Sequence, residues 1–354
     1  MKNSEKLSLI KSFAEEIVTE EELAQLLEEK KHPVAYDGFE PSGKMHLAQG
    51  IMRAINTNKM TKAGVKFTML AADWHAWANN KLGGDLDKIR TVGDYFIEVW
   101  KATGMDTENV KFARSTDLVA KQEYWQTVLK IARESTVNRI VRCSQIMGRS
   151  ESEALSAAQI FYPCMQCADI FHLNADITQL GMDQRKVNIL AREIGQRVGF
   201  WKPVIVSHHM LMGLGEPKET GLTGADRAIA MKMSKSSPDS AIFMTDSAEE
   251  VERKIKKAYC PEGQSSDNPV LEYMKYMVFE KFKAVEIKRP EKFGGDAAFE
   301  SYSELEKAFT DRKLHPMDLK NAASGYVNEM LEPVRKHFEK NAKARKLLEQ
   351  VSSM

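Results

Sequence analysis

The pattern of apolar and polar positions changes character twice along this chain. Up to residue 31 charge dominates. Residues 5–31, ending in EEEL…EEKK before His32 and Pro33, read as one charged helix with a solvated face. From Pro33 short β-rich runs alternate with helical periodicities. VAYDGF (34–39), KFTMLAAD (66–73), VKFARS (110–115), DITQL (176–180) and VIVSHH (204–209) have strand composition. Between them Val92, Tyr95, Phe96, Val99 and Trp100 recur at helical spacing, and so do Val187, Leu190, Ala191, Ile194 and Val198. This alternation predicts an α/β domain with a parallel sheet and helices on both faces. Ligands of such sheets sit at the carboxyl ends of the strands.

Past about residue 246 the alternation stops. EEVERKIKKAY, NPVLEYMKYMVFEKF, SYSELEKAF and the run from Met317 onward are helical in pattern, so an all-α C-terminal domain is expected. Between the two regions, GLGEPKETGLTGADRAIAMKMSKSSPDS is rich in Gly, Ser, Thr and Pro and reads as a mobile loop. The expected organisation is a helical segment 1–31, an α/β domain 32–225, a loop and linker 226–245 and a helical domain 246–354. No internal repeat or long low-complexity tract interrupts it.

Composition narrows the setting. The chain has 354 residues and 43% apolar content, enough for a large core and more than one domain. Lys+Arg 51 against Asp+Glu 50 leaves a charge of +1, so no global field draws in a polyanion. A local basic face still can, and cations concentrate in the tail RKHFEKNAKARK. Cys143, Cys164, Cys167 and Cys260 are too few and scattered for a disulfide framework, which favours a reducing compartment, most simply the cytosol. The charged start MKNSEKLSLIKSFAEE has no signal-peptide core, and no stretch approaches the roughly 18 apolar residues of a membrane span.

Two segments carry nucleotide chemistry. In the first, Gly38 to Gln49 (GFEPSGKMHLAQ) follows the first strand and opens a helix. Gly38 and Gly43 let the backbone approach a ligand, and His46 would stand where a helix start attracts phosphate. The second is Lys232-Met233-Ser234-Lys235-Ser236, in the loop. Its two lysines suit the charge that develops on a departing pyrophosphate. Alone, the first is ordinary strand-to-helix chemistry and the second an ordinary basic loop. Together, His46-Leu47-Ala48-Gln49 followed by KMSKS resemble a class I aminoacyl-tRNA synthetase. Ala48 and Gln49 depart from that family's usual Gly and His. The resemblance implies a Rossmann-like catalytic domain, ATP as substrate with Mg²⁺ on the nucleotide, and His46, Gln49, Lys232, Ser234 and Lys235 on the phosphates.

Tyr162, Gln166 and Asp169 fall at i, i+4 and i+7 of an otherwise apolar run and so share one helical face. Burying unpaired polar groups costs about 1–3 kcal/mol each, so a ligand with polar ends would supply their partners. This helix resembles the tyrosine-binding helix of tyrosyl-tRNA synthetases of the archaeal and eukaryotic type. The resemblance runs from about Pro33 to Arg335 and includes ADWHAW, GMDQRK and LHPMDLKN. It implies Tyr162, Gln166 and Gln184 on the substrate amine, and Asp169 with Tyr36 on the phenolic hydroxyl. Asp73 and His75 would line or support that pocket. It further implies Arg142 and Arg185 toward the acceptor end of tRNA(Tyr), and Phe293, His315 and Asp318 in an anticodon pocket. A homodimer and a cytosolic setting are implied as well. Cys164-x2-Cys167 fails as a zinc site on ligand count, since no second CxxC or His pair lies at the right spacing. Three rivals compete: a tryptophanyl enzyme, a small-molecule nucleotidylyltransferase, and a catalytically silent RNA-binding relative, favoured only by Ala48-Gln49.

Overall fold

A computed structural model of the chain describes residues 1–148, 154–217, 221, 224–233 and 238–354. Its centre is a sheet of strands β1 (Ala14–Val18), β2 (Val34–Phe39), β3 (Lys66–Ala71), β4 (Val110–Arg114), β5 (Ile177–Thr178) and β6 (Val204–His208). Their order across the sheet is β1-β6-β5-β2-β3-β4. Neighbours from β6 to β4 pair in parallel, and β1 joins β6 antiparallel. The chain builds β2, β3 and β4 outward in one direction, then returns to place β5 on the other side of β2. That reversal makes the carboxyl end of β2 the switch point where a crevice opens.

Period-2 alternation explains why both faces are covered. Ala35, Phe67 and Met69 point into one core with Ile51, Ala54, Val92 and Phe96. Tyr36 and Leu70, one residue on, point into a second core with Val128, Ile131, Met165, Ala168, Leu190 and Ile194. Strands buried on both faces in this way are typical of parallel sheets. The helix Leu86–Ala102 starts on Asp85, whose carboxylate accepts from the Asp87 and Lys88 amides, and buries Val92, Tyr95, Phe96, Val99 and Trp100 as their spacing dictates. Val187, Leu190, Ala191 and Ile194 do the same on Arg185–Ile194.

Two expectations are corrected. Residues 5–31 are not one helix: Asn3–Lys11 and Glu20–Glu29 flank strand β1. Glu15 and Glu16, read as part of a solvated charge run, are paired across the sheet instead. Glu15 meets His209 Nδ1 at 2.9 Å, and Glu16 accepts from Arg185 Nε at 2.7 Å. Ile17 and Val18 favour the extended backbone, and Thr19 caps the next helix by accepting from the Glu22 amide at 3.2 Å. The C-terminal region is likewise not all-α. It is mainly helical (Ala248–Lys257, Pro269–Tyr273, Tyr302–Thr310, Pro316–Lys340, Ala342–Ser352), with an antiparallel pair β7 (Val285–Ile287) and β8 (Ala297–Phe299). Val285 and Ile287 are fully buried while Glu286 is exposed, an alternation too short to register against the surrounding helices.

The C-terminal helices bury Leu319, Val327, Leu331 and Val334 in the same core as Met45, Leu47 and Ile51. His209 fastens this junction. It lies between Glu15 and Glu272 and stacks on Tyr276 with centroids 4.2 Å apart. Burial opposes its charge, but hydrogen bonds donated to the two carboxylates raise it to about 9.

Candidate active site

At the carboxyl end of β2 a cleft of about 210 Å³ opens to solvent, and the strand sends consecutive side chains to its two halves. Tyr36 faces the helix Ala157–His172. That helix begins on a capping box, with Ser156 accepting from the Gln159 amide and the Gln159 side chain returning the contact. Tyr162, Gln166 and Asp169 project from its buried face into the cleft, together with Tyr36, His75 and Gln184. Gln166 Nε2 donates to Gln184 Oε1 at 3.1 Å, and Gln184 Nε2 donates to the Ile146 carbonyl at 3.3 Å. The sequence-expected residues from β2, the helix and the GMDQRK turn therefore meet at one end of one cleft.

Tyr124 there had no signal in the sequence, whereas His75 and Asp73 were expected to line or support the pocket. Tyr124, on Gln122–Arg133, donates its hydroxyl to Asp169 Oδ1 at 2.9 Å from behind the cleft wall. His75 Nε2 lies 3.0 Å from Asp169 Oδ2, and its ring meets Tyr162 edge-on at 4.9 Å. Burial works against the charged imidazole, but Asp169 beside it raises His75 above its ordinary value. Burial pushes the Tyr162 phenol well up, with the Glu40 carboxylate adding to the effect. Tyr36 Oη is buried with no hydrogen bond of good geometry inside the protein, and it points at this same polar floor. Asp73 does not line the cleft. It accepts from Ser115 Oγ at 2.5 Å and the Thr116 amide at 2.9 Å, pinning the start of the helix after β4, Ser115–Val119, to the start of the helix after β3, Asp73–Ala78.

Under the other half sits a buried polar network that the motifs did not reveal. Asp37 follows Tyr36 and faces the opposite side of the sheet, where Arg53 Nε meets its carboxylate at 2.8 Å. Arg53 also donates to His208 Nδ1 at 3.1 Å and to Gln179 Oε1 at 2.5 Å. Burial drives His208 well below its ordinary value, with the Arg53 charge adding to the effect, so the ring is neutral and Nδ1 accepts. Burial pushes the Asp37 carboxyl up to about 7 against the pull of Arg53. A charge within VAYDGF and another beside the apolar positions Ile51, Ala54 and Ile55 were the only traces in the sequence.

The nucleotide-motif residues come to the same cleft. Gly38, His46, Gln49 and Lys232 line it. The segment after His46 winds first as a π-helical turn, Ala48–Met52, before the α-helix Arg53–Lys62, and such turns recur at functional sites. Gln49 Oε1 is buried without a partner, while its carbonyl accepts from Trp100 Nε1 at 2.9 Å. Gly43 is not among the lining residues. Its φ of +130° belongs to the turn between β2 and His46, which a side chain would strain. The Met233 amide donates to the Leu211 carbonyl at 2.8 Å, which brings Lys232 over the cleft, where it pairs with Asp183 at 2.6 Å. Ser234 and Lys235 lie outside the described residues.

The profile of the family described as tRNA synthetases class I (W and Y) matches residues 28–332. The chain belongs to that family. It is 51% identical over 348 residues to an Arabidopsis thaliana protein named tyrosine–tRNA ligase 1, cytoplasmic, covering 98% of this chain and 87% of the relative. Among solved structures it resembles a tyrosyl-tRNA synthetase from Pyrococcus horikoshii complexed with L-tyrosine. That match has a TM-score of 0.92 and 38% identity, with both chains fully covered. A Leishmania major tyrosyl-tRNA synthetase in complex with tyrosinol matches at TM-score 0.90 and 46% identity, where this chain spans 52% of the longer protein.

The synthetase residues expected on tRNA fall in other parts of the fold. Arg142 ends the helix Val137–Arg142, and Arg185 is engaged by Glu16 of β1. His315 caps the long helix Pro316–Lys340, its Nδ1 accepting from the Met317 amide at 3.1 Å, with Asp318 in the first turn. Phe293 closes a short 3₁₀ turn, and its side chain lies outside the described residues.

Proposed function

We propose that this synthetase is a tyrosine–tRNA ligase that activates tyrosine with ATP and transfers it to tRNA(Tyr). The observation that carries the reading is the buried polar floor of the cleft. Asp169 and the unpartnered Tyr36 hydroxyl suit a phenol that donates and accepts, and Gln166 with Gln184 suits the amino end. An indole N–H donates only and offers no acceptor for the Tyr36 hydroxyl proton, which disfavours tryptophan.

In the first step the tyrosine carboxylate attacks the α-phosphorus of ATP in line, forming tyrosyl-adenylate as pyrophosphate departs. The attacking group is already ionised near neutral pH, so the chain supplies position and charge stabilisation rather than a general base. His46 and Lys232 in the cleft, with Lys235, take the phosphate roles, and Gln49 offers its amide beside them. In the second step a ribose hydroxyl of the terminal adenosine attacks the adenylate carbonyl and AMP leaves. Mg²⁺ on the triphosphate would neutralise phosphate charge. Asp37, Glu40 and Asp183 line the cleft and offer carboxylate oxygens on its side of such a cation.

Tyrosine-dependent exchange of pyrophosphate into ATP tests the reading. Exchange with tryptophan alone, or silence with every amino acid, overturns it. Replacing Lys232 by alanine is expected to lower kcat for exchange by about 10²-fold, the usual effect of losing one transition-state charge contact. The tyrosine KM should stay nearly unchanged, because Lys232 is not part of the polar floor. Arg142 and Arg185 toward the acceptor end, with Phe293, His315 and Asp318 at the anticodon, belong to the same proposal. An aromatic face with an aspartate acceptor suits a splayed guanine. A cytoplasmic setting is supported by the Arabidopsis relative's name. A homodimer is supported by exposed apolar side chains on neighbouring helices of the catalytic domain, Trp125, Leu129 and Val137. Sedimentation is expected to give twice the chain mass, and a monomer at micromolar concentration would refute it.

A further inference from the structure

Each carboxylate oxygen of Asp169 has beside it a polar group that the tyrosine reading does not require. The Tyr124 hydroxyl donates to Oδ1 at 2.9 Å from a helix behind the cleft wall, and His75 Nε2 lies 3.0 Å from Oδ2. The same hydroxyl is 3.1 Å from the Met165 carbonyl, but its single proton favours the charged acceptor. Tyr124 and Asp169 are 0% and 1% exposed, so neither finds water in place of the other. Each oxygen keeps a lone pair for the cleft, where Tyr36 Oη is the facing hydroxyl without a partner.

The groups facing this carboxylate come from four elements. They are Tyr36 on β2, His75 on Asp73–Ala78, Tyr124 on Gln122–Arg133, and Tyr162, Cys167 and His172 on its own helix, where burial lowers His172 below its ordinary value. Burial raises the three phenols and the thiol well above their ordinary values, so all four stay neutral. Among the described residues His75 is the cation-forming group paired with it, and Glu40 and Asp73 add to the pull of Asp169 upon it.

We propose that Tyr124 and His75 are positioning residues that lock Asp169 as an acceptor-only carboxylate, so that the site takes the protonated phenol of its amino acid and turns away a phenolate. The proposal rests on the tyrosine reading and adds a rule about the substrate's own ionisation. A phenol donates to Asp169 and accepts from Tyr36. A phenolate would place a second negative oxygen at hydrogen-bond distance from the first in a desolvated floor, where like charges repel strongly.

The test uses the full chain in tyrosine-dependent pyrophosphate exchange, with tyrosine and ring-fluorinated tyrosines of graded phenol acidity. For each analogue KM is expected to rise about tenfold per pH unit above that analogue's own phenol pKa, with a breakpoint that moves from analogue to analogue. A breakpoint common to all of them, or flat profiles, overturns the proposal. In the second arm, Tyr124→Phe removes one oxygen. It is expected to raise the tyrosine KM about tenfold, while the ATP KM and kcat/KM for phenylalanine stay within about twofold. A tenfold change corresponds to about 1.4 kcal/mol, within the range of a charged hydrogen bond. His75→Gln, which keeps a donor, should retain more tyrosine affinity than His75→Leu. Parallel losses for tyrosine and phenylalanine would reduce Tyr124 to a packing role and refute its positioning. If Tyr124→Phe fails to fold, the analogue profiles of the unaltered protein still decide the substrate rule. Absence of tyrosine-dependent exchange in the unaltered protein sinks both readings, whereas normal exchange with an unchanged variant sinks this one alone.

Discussion

Replacing Asp169 by alanine is expected to lower kcat/KM for tyrosine by about 10³-fold while leaving the ATP KM within about twofold. The substitution removes the acceptor for the substrate hydroxyl, leaves the Tyr124 hydroxyl only the Met165 carbonyl at 3.1 Å, and strands the buried His75 ring, which loses its 3.0 Å contact. A hydrogen bond to a charged group is worth about 1.5–3 kcal/mol, and a buried donor left without a partner costs about 1–3 kcal/mol more. Their sum corresponds to two to four powers of ten. Phenylalanine never uses Asp169, so its activation should fall far less and the preference for tyrosine should collapse. Tyrosyl enzymes are themselves the standard illustration of how unpaired polar groups reject a substrate that lacks a hydroxyl. Exchange kinetics with the two amino acids measure this directly. An unchanged tyrosine-to-phenylalanine preference would remove Asp169 from the recognition scheme.

The largest stability effect is expected at Arg53. Arg53→Leu keeps an apolar stem but leaves Asp37 buried beside nothing that compensates its charge, and takes away the donors to His208 and Gln179. Breaking a buried ion pair from one side typically destabilises by about 3–5 kcal/mol. The effect depends on pH in a defined direction. Asp37 has a folded-state value raised to about 7, above its ordinary 3.8. A raised carboxyl favours folding in its protonated form, and that advantage fades as pH climbs from the unfolded toward the folded value. Without Arg53 the folded value rises further, so the penalty should be smaller at pH 6 than at pH 8. Urea midpoints of the two proteins at both pH values test this, and equal penalties would show that Asp37 does not carry the effect.

What was readable in advance follows from periodicity and local chemistry. Val92, Tyr95, Phe96, Val99 and Trp100 had to share a helical face because 3.6 residues make a turn, and all five are fully buried. The β runs had to be two-sided because they lack polar alternation, and both faces are covered. Tyr162, Gln166 and Asp169 had to point one way from one helix, whatever lay opposite. The misreadings have equally plain causes. Glu15 and Glu16 looked solvated because a charge run shows no partners in one dimension, and their partners His209 and Arg185 lie about 170 or more positions away. Strands β7 and β8 were missed because three residues give too little alternation to stand out.

The sequence by itself determined the α/β body with helices on both faces of its sheet, the helical tail, the family through His46 and KMSKS, and the polar face that carries Asp169. These rest on spacing within one element, which backbone geometry converts into direction. Only the tertiary structure decided what each polar group meets: Tyr124 behind Asp169, His75 on its other oxygen, Gln184 against Gln166, and Arg53 under Asp37. Those contacts join elements remote in the chain, and their strength depends on exclusion from water. Periodicity records which side of an element is buried, but only the packed fold records which charge is buried with which.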